Sequence, residues 1–151
     1  MASVTVSKLP GHTYTMQVGD GRHTLVSDEH VEDGGEDLGP SPYELMLSAL
    51  GSCTAITLLM YASQKQWPVD DVSVSLDQHK VFVRESQEFS AEERAAAGPN
   101  DRADLIRFEV SVRGALDEAQ LTRLLEIANR CPVHRTLDAK PRIVSAIKHL
   151  S

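Results

Sequence analysis

The sequence predicts a mixed fold of strands and helices in a single domain over residues 1–151. Apolar residues alternate with polar ones over short N-terminal stretches and over two longer stretches in the second half, which is typical of strands. Between them lie one long apolar segment and one segment with an apolar period of three to four residues, which is typical of helices. The predicted order is strand, strand, strand, helix, strand, strand, helix, short helix, strand.

The composition restricts the partners and the compartment. The chain carries 22 acidic and 15 basic side chains, a net charge of −7, and such a surface repels nucleic acid and anionic lipid, so we expect neither as a partner. The segment MASVTVSK shows no basic-then-apolar signal pattern, which predicts a cytoplasmic protein. In a reducing compartment the two cysteines, Cys53 and Cys131, are either inert core residues or reactive groups.

Three short strands are predicted within residues 2–28, where apolar side chains recur at a period of two. The turn at Gly19, Asp20 and Gly21 closes the second hairpin, because these residues tolerate the positive φ of a tight strand connection. Residues 29–39 are acidic and rich in glycine, with no apolar period. This segment is predicted to be a mobile surface loop.

A long helix is predicted to begin after Ser41. Ser41 is a candidate N-cap, Pro42 suits the first helical position, and Glu44 stands three residues after the cap, so Glu44 has a structural role available. Residues 45–62 carry no charge, which is typical of a membrane span or of a helix buried on every side. Its small, weakly polar residues and the acidic remainder of the chain favour a buried core helix, ending near Gln66, and no membrane partner.

The second half of the chain again contains alternating segments typical of strands and a segment with the apolar stripe of a helix. Alternating segments at 71–83 and 106–112 predict two strands, and Ser90 opens a short helix between them with capping-box spacing. Asp117 caps a second long helix with one apolar stripe. Residues 142–150 are predicted to close the chain as a final strand.

The two cysteines lie in different contexts. Cys53 is in the middle of the long apolar helix, where a small hydrophobic core residue is the ordinary interpretation. Cys131 precedes Pro132, which is placed to open a short helix, so Cys131 is at an N-cap where free backbone N–H groups favour a thiolate. It is otherwise a plain cap residue. His134 and Arg135 either add positive charge near it or are solvated surface groups.

Other chemistries have weaker support. Cys131 and His134 have the spacing of half a zinc site, but the paired Cys-x-x-Cys element of structural zinc sites is missing, so we expect no metal. A hydrolase with Cys53 as nucleophile lacks a local motif that places a histidine against it. The sequence contains no Gly-x-Gly-x-x-Gly motif and no phosphate loop, so no nucleotide cofactor is implied.

Two segments are informative together: GPSPYELMLSALGSCT at residues 39–54 and CPVH at residues 131–134. A Pro-x-x-Leu helix entry with a cysteine eleven residues after the proline, followed by a second cysteine at the end of the next long helix, resembles the OsmC/Ohr superfamily of thiol-dependent hydroperoxide reductases. The likeness runs over nearly the whole chain. It implies an α+β fold, with a mainly antiparallel sheet wrapped around two long helices, and an intertwined homodimer with its sites where the subunits meet.

The resemblance also implies a chemistry. Cys53 is the peroxidatic thiol, which attacks the peroxide O–O bond and becomes a sulfenic acid, and Cys131 is the resolving thiol, which condenses with it to a disulfide. An external dithiol reduces that disulfide, and no cofactor is needed. The apolar surroundings of Cys53 favour organic hydroperoxides over hydrogen peroxide as substrates. The implied function is a peroxidase in oxidative-stress defence.

The activating pair of the family is not firmly matched. Its peroxidases carry glutamate directly after the helix-entry proline, where Tyr43 stands here, and Glu44 is one helical step of about 100° further on. Glu44 and Arg22, the only arginine before the helix, are therefore candidate catalytic residues that also have purely structural interpretations, and Tyr43 is a candidate substrate-binding phenol. Weak peroxidase activity, or a non-enzymatic dimer that binds a small apolar ligand or senses redox state, remains the alternative.

Overall fold

The computed structural model describes residues 2–149, and this part of the chain contains five strands and four α-helices. The observed order agrees with the predicted order up to the last element. The chain forms two compact units, Met1–Ala49 and Leu50–Ser151. The fold is therefore mixed α+β with antiparallel sheets, as the sequence predicts.

The first unit contains the three predicted short strands: β1 (Thr5–Lys8), β2 (Met16–Gly19) and β3 (Thr24–Ser27). They form one antiparallel sheet in the order β1-β2-β3. Gly21, in the turn between β2 and β3, has a φ of +88°, which confirms why a glycine is needed there. In-register residues share a face of the sheet, so its apolar face includes Val6, Val18 and Leu25, of which the first and last are exposed.

The segment after β3 is more ordered than its composition predicts, because it is built around Asp28. The Asp28 side chain is buried, and its Oδ1 accepts a hydrogen bond from the backbone N–H of Glu29 at 2.9 Å. Its Oδ2 accepts from the Thr15 hydroxyl at 3.1 Å and from the backbone N–H groups of Glu36 at 3.2 Å and Leu38 at 3.3 Å. Burial alone raises the pKa of a carboxyl group, but these four donors outweigh it and hold the pKa of Asp28 below its ordinary value.

We expect Asp28→Ala to lower the melting temperature and to release the segment 29–39. The substitution leaves three backbone N–H groups without their acceptor, and a buried donor without a partner is costly. Hydrogen exchange measures this directly, through faster exchange of the amides of Glu29, Glu36 and Leu38. Asp33→Ala, in the same segment but exposed, is the control, and equal protection in both variants contradicts the assignment.

Helix α1 (Pro42–Lys65) begins where the sequence predicts. Glu44 Oε2 accepts a hydrogen bond from the Ser41 backbone N–H at 2.7 Å, and Ser41 Oγ accepts one from the Glu44 backbone N–H at 3.4 Å. This reciprocal pair is a capping box, in which two otherwise unpaired backbone donors are satisfied. The structural role predicted for Glu44 is therefore present.

Only one stripe of α1 is buried, so the prediction of burial on every side is wrong within the described chain. The buried residues follow a period of about four: Leu50, Gly51, Thr54, Leu58 and Ala62. The opposite side leaves three large apolar side chains exposed: Ile56, Leu59 and Met60. By length and composition alone α1 could also cross a membrane, but a single helix of this kind is weak support for a membrane span.

The second unit packs helices on a long hairpin of β4 (Val69–Phe82) and β5 (Arg102–Gly114), with the short helix α2 (Ala91–Ala96) in the connection. Its core consists of Leu58 and Ala62 of α1 and Leu124, with seven partly buried residues packed against them: Tyr61, Trp67, Val69, Val72, Val110, Val112 and Leu116. Gly51 permits a close approach of α1 to β4, since a Cβ atom there would lie 2.7 Å from Leu76 Cδ1. Helix packing against the hairpin thus fixes the position of the middle of α1.

The last two helices are also where the sequence predicts them. Helix α3 (Glu118–Ala128) begins at the Asp117 N-cap and buries Leu124 and Ala128, whereas Leu125 remains exposed. Helix α4 (Pro132–Asp138) begins with proline at its first position and Cys131 as its N-cap. The N-cap position predicted for Cys131 is therefore confirmed.

The predicted final strand is not formed. Residues 142–149 have no regular secondary structure, and Leu150, the last residue of the prediction, lies outside the described residues. Ile143 and Val144 are more than four-fifths exposed and Ile147 is fully exposed. A strand needs a partner for its backbone N–H and C=O groups, and within residues 2–149 this segment pairs with none, so its strand-like pattern has no sheet to join.

Candidate functional site

The buried thiol of Cys131 lies against α1. Its side chain is fully buried, and its Sγ is 3.4 Å from Thr54 Oγ1. The His134 backbone N–H, in the first turn of α4, donates a second hydrogen bond to the same sulfur at 3.4 Å. Because Thr54 is itself fully buried, the sulfur of Cys131 is held in one position between α1 and α4.

Cys53 directly precedes Thr54 on α1, so the two cysteines that the sequence singles out lie at neighbouring places in the second unit. Cys53 is half-buried and Cys131 is buried, and both are free thiols. A more accessible thiol beside a shielded one is the arrangement that a two-step thiol reaction needs, because the first thiol must meet a substrate and the second must meet only the first.

Thr54 is a residue that sequence reasoning missed. The available signal was a hydroxyl group directly after a cysteine in a long uncharged helix segment, because a buried hydroxyl group needs a hydrogen-bond partner. The partner is Cys131, 77 residues later in the chain, and nothing in the local sequence identifies it.

Glu44 and Tyr43 lie at the start of α1, in the first unit. The hydrogen bond from the Ser41 backbone N–H, with smaller contributions from the Ser41 side chain and the charge of His30, holds the pKa of Glu44 below its ordinary value. The carboxylate is therefore charged at neutral pH and engaged at the helix cap. Tyr43 follows Pro42, and its side chain is half exposed.

Arg22 lies in the turn between β2 and β3, in the first unit. Its backbone N–H donates to Asp20 Oδ1 at 2.8 Å, which fixes the turn. Its side chain lines an open, polar depression on the sheet together with Thr5, Ser7 and Gln17. This placement agrees with the turn predicted from the sequence.

His30 connects the acidic segment to the start of α1. His30 Nδ1 is 3.3 Å from Asp37 Oδ1, and His30 Nε2 is 3.8 Å from Glu44 Oε2. The hydrogen bond with Asp37, followed by the charge of Glu44, raises the pKa of His30 above its ordinary value. Protonation of His30 therefore strengthens the attachment of the segment 29–39 to the helix cap.

We expect Asp37→Asn to lower the pKa of His30, because the substitution removes the largest cause of the shift. A raised pKa means that His30 contributes stability fully below its unfolded pKa of about 6.5, and that this contribution is lost as the pH rises through the folded pKa. An NMR titration of the His30 ring measures the shift, and melting temperatures on both sides of that window measure the linkage. Asp33→Asn is the control, and an unchanged His30 titration in Asp37→Asn contradicts this account.

Among residues 2–149, no group of three or more histidine, cysteine, aspartate or glutamate side chains is arranged to hold a metal ion. Cys131 and His134, which have the spacing of half a zinc site, are in contact through the backbone N–H of His134, which donates to the Cys131 sulfur.

Comparison with known proteins decides the family. The model of the family described as OsmC-like protein matches residues 34–145, about three quarters of the chain. The chain belongs to the OsmC-like family. The resemblance carried by the helix entry and the two cysteines is thereby confirmed. A search of curated proteins finds no significant match.

Solved structures of OsmC-like proteins share this fold. An OsmC-like protein from Mycoplasma pneumoniae is 15% identical with a TM-score of 0.67, over 91% of this chain and 87% of that one. The organic hydroperoxide resistance protein OsmC from Legionella pneumophila is 16% identical with a TM-score of 0.61, over 91% and 88%. An OsmC-like protein of unknown function from Vibrio cholerae is 13% identical with a TM-score of 0.63, over 90% and 92%. At these identities the likeness establishes the OsmC-like fold.

Proposed function

We propose that this OsmC-like protein reduces organic hydroperoxides through its two cysteines. The Cys53 thiolate attacks the terminal peroxide oxygen, the O–O bond breaks, and the organic group leaves as an alcohol after taking one proton. Cys53 is then a sulfenic acid. The Cys131 thiolate attacks its sulfur, the S–O bond breaks, and the oxygen leaves as water with a second proton. The products are one alcohol, one water and a Cys53–Cys131 disulfide.

The contact between Thr54 and Cys131 carries this proposal. It supports a position for the resolving sulfur against Thr54, the residue that directly follows Cys53 on α1. Disulfide formation needs the two Cα atoms within about 7 Å, and the proposal requires that separation of Cys53 and Cys131 in the oxidised protein. An external dithiol completes the cycle, and a reducing cytoplasm is the compartment in which such a dithiol is available.

We propose that the active form is a homodimer. Within residues 2–149, apolar side chains are exposed in three parts of the chain: Val6 and Leu25 on the first sheet, Ile56, Leu59 and Met60 on α1, and Ile143, Val144 and Ile147 after α4. Such an amount of exposed apolar surface is typical of an interaction site. Light scattering after size exclusion tests this, with an expected mass of twice 16.6 kDa, and a mass of one chain at micromolar concentration contradicts it.

Intact mass spectrometry tests the reaction. We expect one equivalent of cumene hydroperoxide to convert the reduced protein to a species lighter by two hydrogens, with one disulfide joining Cys53 and Cys131 in the peptide map. Dithiothreitol should restore the original mass. A species heavier by one oxygen that never resolves, or no change at all, contradicts the two-cysteine cycle.

One observation favours a second candidate, a non-enzymatic protein that binds a small apolar ligand or senses redox state. The Glu44 carboxylate accepts a hydrogen bond at the helix cap, so Glu44 is not available as the activating glutamate of a peroxidase. If this candidate is correct, the protein does not increase the rate at which excess dithiol alone consumes the hydroperoxide. Faster peroxide consumption with the protein present excludes it.

We expect Thr54→Val to slow disulfide formation by roughly fivefold while leaving sulfenic acid formation unchanged, because one hydrogen bond to the resolving sulfur is worth about 1 kcal/mol. Valine has nearly the same shape as threonine, so packing is kept. Rapid-quench mass spectrometry resolves the two steps. Thr54→Ser, which keeps the hydroxyl, should restore the wild-type rate, and equal rates for the serine and valine variants contradict a positioning role.

A further inference from the structure

The first sheet has a polar face, and a depression of about 410 Å³ lies on it within the first unit. Strand register places Thr5 opposite Gly19 and Gly19 opposite Thr24, and residues directly opposite each other in antiparallel strands share a face. Ser7 and Gln17 form the next pair on the same face. The apolar residues of the sheet alternate with these along each strand, so they lie on its other face.

Gly19 forms the floor of the depression. It is the middle residue of the row from Thr5 to Thr24, so the absence of a side chain leaves a hollow between the two threonines. A Cβ atom at Gly19 would lie 3.6 Å from the His23 carbonyl oxygen and 4.0 Å from Thr24 Oγ1, which is ordinary van der Waals contact. The Thr24 hydroxyl group is therefore beside the hollow, and a larger residue at position 19 fits without strain.

The side chains around the depression are polar and carry no negative charge. Its lining contains no acidic and no apolar side chain, although the chain has 22 acidic residues against 15 basic ones. Among residues 2–149, the hydroxyl groups of Thr5, Ser7 and Thr24 make no hydrogen bond to the protein, and the same is true of the Gln17 amide. These donors are therefore available to a ligand.

Arg22 adds a positive charge that the turn does not use. The backbone N–H of Arg22, not its side chain, donates to Asp20 Oδ1. The remaining contacts of the Asp20 carboxylate come from the His23 backbone N–H at 2.7 Å and from His23 Nδ1 at 3.1 Å. Within residues 2–149 the Arg22 guanidinium forms no ion pair, so it can pair with an anion in the depression.

The arrangement of these donors suits a phosphate group better than a carboxylate. A guanidinium binds two oxygens of either anion. A carboxylate has no further oxygen, whereas a phosphate monoester has a third one that accepts strong hydrogen bonds. Donors for that oxygen are present on β1, β2 and β3 around the hollow. The lack of apolar side chains in the lining favours a small, polar remainder of the ligand.

We propose that this depression binds a small phosphate monoester, with the Arg22 guanidinium and the hydroxyl groups of Thr5 and Thr24 on the phosphate oxygens. The site uses neither cysteine, so the inference goes beyond the proposed peroxidase function and does not depend on it. It also explains why a chain with a net charge of −7 keeps one face of this sheet free of acidic residues.

The test titrates the reduced full-length protein with glycerol 3-phosphate, followed by two-dimensional NMR of the backbone amides. We expect the largest shifts at Gly19, Arg22 and Thr24. Glycerate, which carries a carboxylate instead of the phosphate, should bind about fivefold more weakly because it offers one acceptor oxygen fewer, and glycerol should cause no shifts. Shifts that map elsewhere, or equal affinity for glycerate and glycerol 3-phosphate, contradict the proposed phosphate site.

A charge-matched pair of variants separates a specific contact from the general effect of charge. Arg22→Gln should weaken binding by about tenfold, because hydrogen bonds to a charged group are strong. Lys8→Gln removes the same charge from an exposed position on the other face of the sheet, and should change the affinity by less than about twofold. Equal weakening by both variants overturns the inference.

Two further variants test the hollow itself. Gly19→Val fills it and should abolish binding without lowering the melting temperature, since valine suits a strand and position 19 has no positive φ. Thr24→Val keeps the shape of the side chain but removes its hydroxyl group, and should weaken binding about fivefold even if the Gly19 variant is unstable. Wild-type affinity in a folded Gly19→Val protein, or in Thr24→Val, overturns the inference.

Discussion

Replacement of Cys53 by serine is expected to lower the rate of organic hydroperoxide reduction by roughly three orders of magnitude or more. A serine hydroxyl is not ionised at neutral pH, and the loss of a nucleophile removes the chemical step itself rather than a binding contribution. Because Cys53 is half-buried on a helix that is packed along one stripe, a change of one atom there should leave the fold intact. Peroxide consumption in the presence of excess dithiol measures the effect, and circular dichroism checks the fold.

Cys131→Ser provides the matched control for that result. This variant should still consume the first equivalent of peroxide, but Cys53 should then persist as a sulfenic acid that dimedone traps, since no resolving thiol follows. If Cys131→Ser is the variant that loses the first equivalent, the assigned roles are reversed. If the two serine variants behave alike, the assignment of separate roles is contradicted. The full burial of Cys131 makes that reversal unexpected, because a peroxide must reach the attacking sulfur.

Local signals predicted the elements of this fold well. The capping box at Ser41, the N-cap at Asp117 and the proline after Cys131 each concern residues within one helical turn, and the structure confirms all three. Alternating patterns also predicted the strands of both sheets. These successes share one cause: the energy that determines such features is contained in a few neighbouring residues.

The failures concern features that depend on distant or missing partners. The apolar pattern of α1 could not show that only one stripe is covered, because coverage depends on the hairpin that follows it. The segment at 142–149 has a strand pattern, but a strand requires a neighbour that the pattern does not contain. The role of Asp28 as a hydrogen-bond acceptor was not predictable for the same reason, because its donors on Thr15, Glu36 and Leu38 are not its neighbours in the sequence.

The candidate site was predictable in its residues but not in its contacts. The resemblance to the family paired Cys53 with Cys131, whereas the hydrogen bond through Thr54 depends on how α1 and α4 meet. The capping role of Glu44, in contrast, was predictable, because the residues that form the cap lie within one helical turn.

The largest effect on stability is expected from Leu58→Ala. Leu58 is 1% exposed and lies at the centre of the core of the second unit, between Ala62 and Leu124. Deletion of a fully buried leucine side chain costs about 2 to 5 kcal/mol, through lost transfer free energy and the cavity that remains. The total free energy of unfolding of a domain is only about 5 to 15 kcal/mol, so this single change should remove a large fraction of it. Urea denaturation followed by Trp67 fluorescence measures the loss, since Trp67 packs against this core.

Leu59→Ala, the neighbouring position, is the control and also tests the proposed homodimer. Leu59 is 41% exposed on the uncovered side of α1, so in a single chain its truncation should cost less than about 1 kcal/mol. If a second copy covers that side, the cost becomes dependent on protein concentration, because dimerisation stabilises the folded state by mass action. The cost of Leu58→Ala should instead be nearly the same at low and high concentration. Equal costs for the two variants at a concentration where the protein is monomeric would contradict the packing of α1 described here.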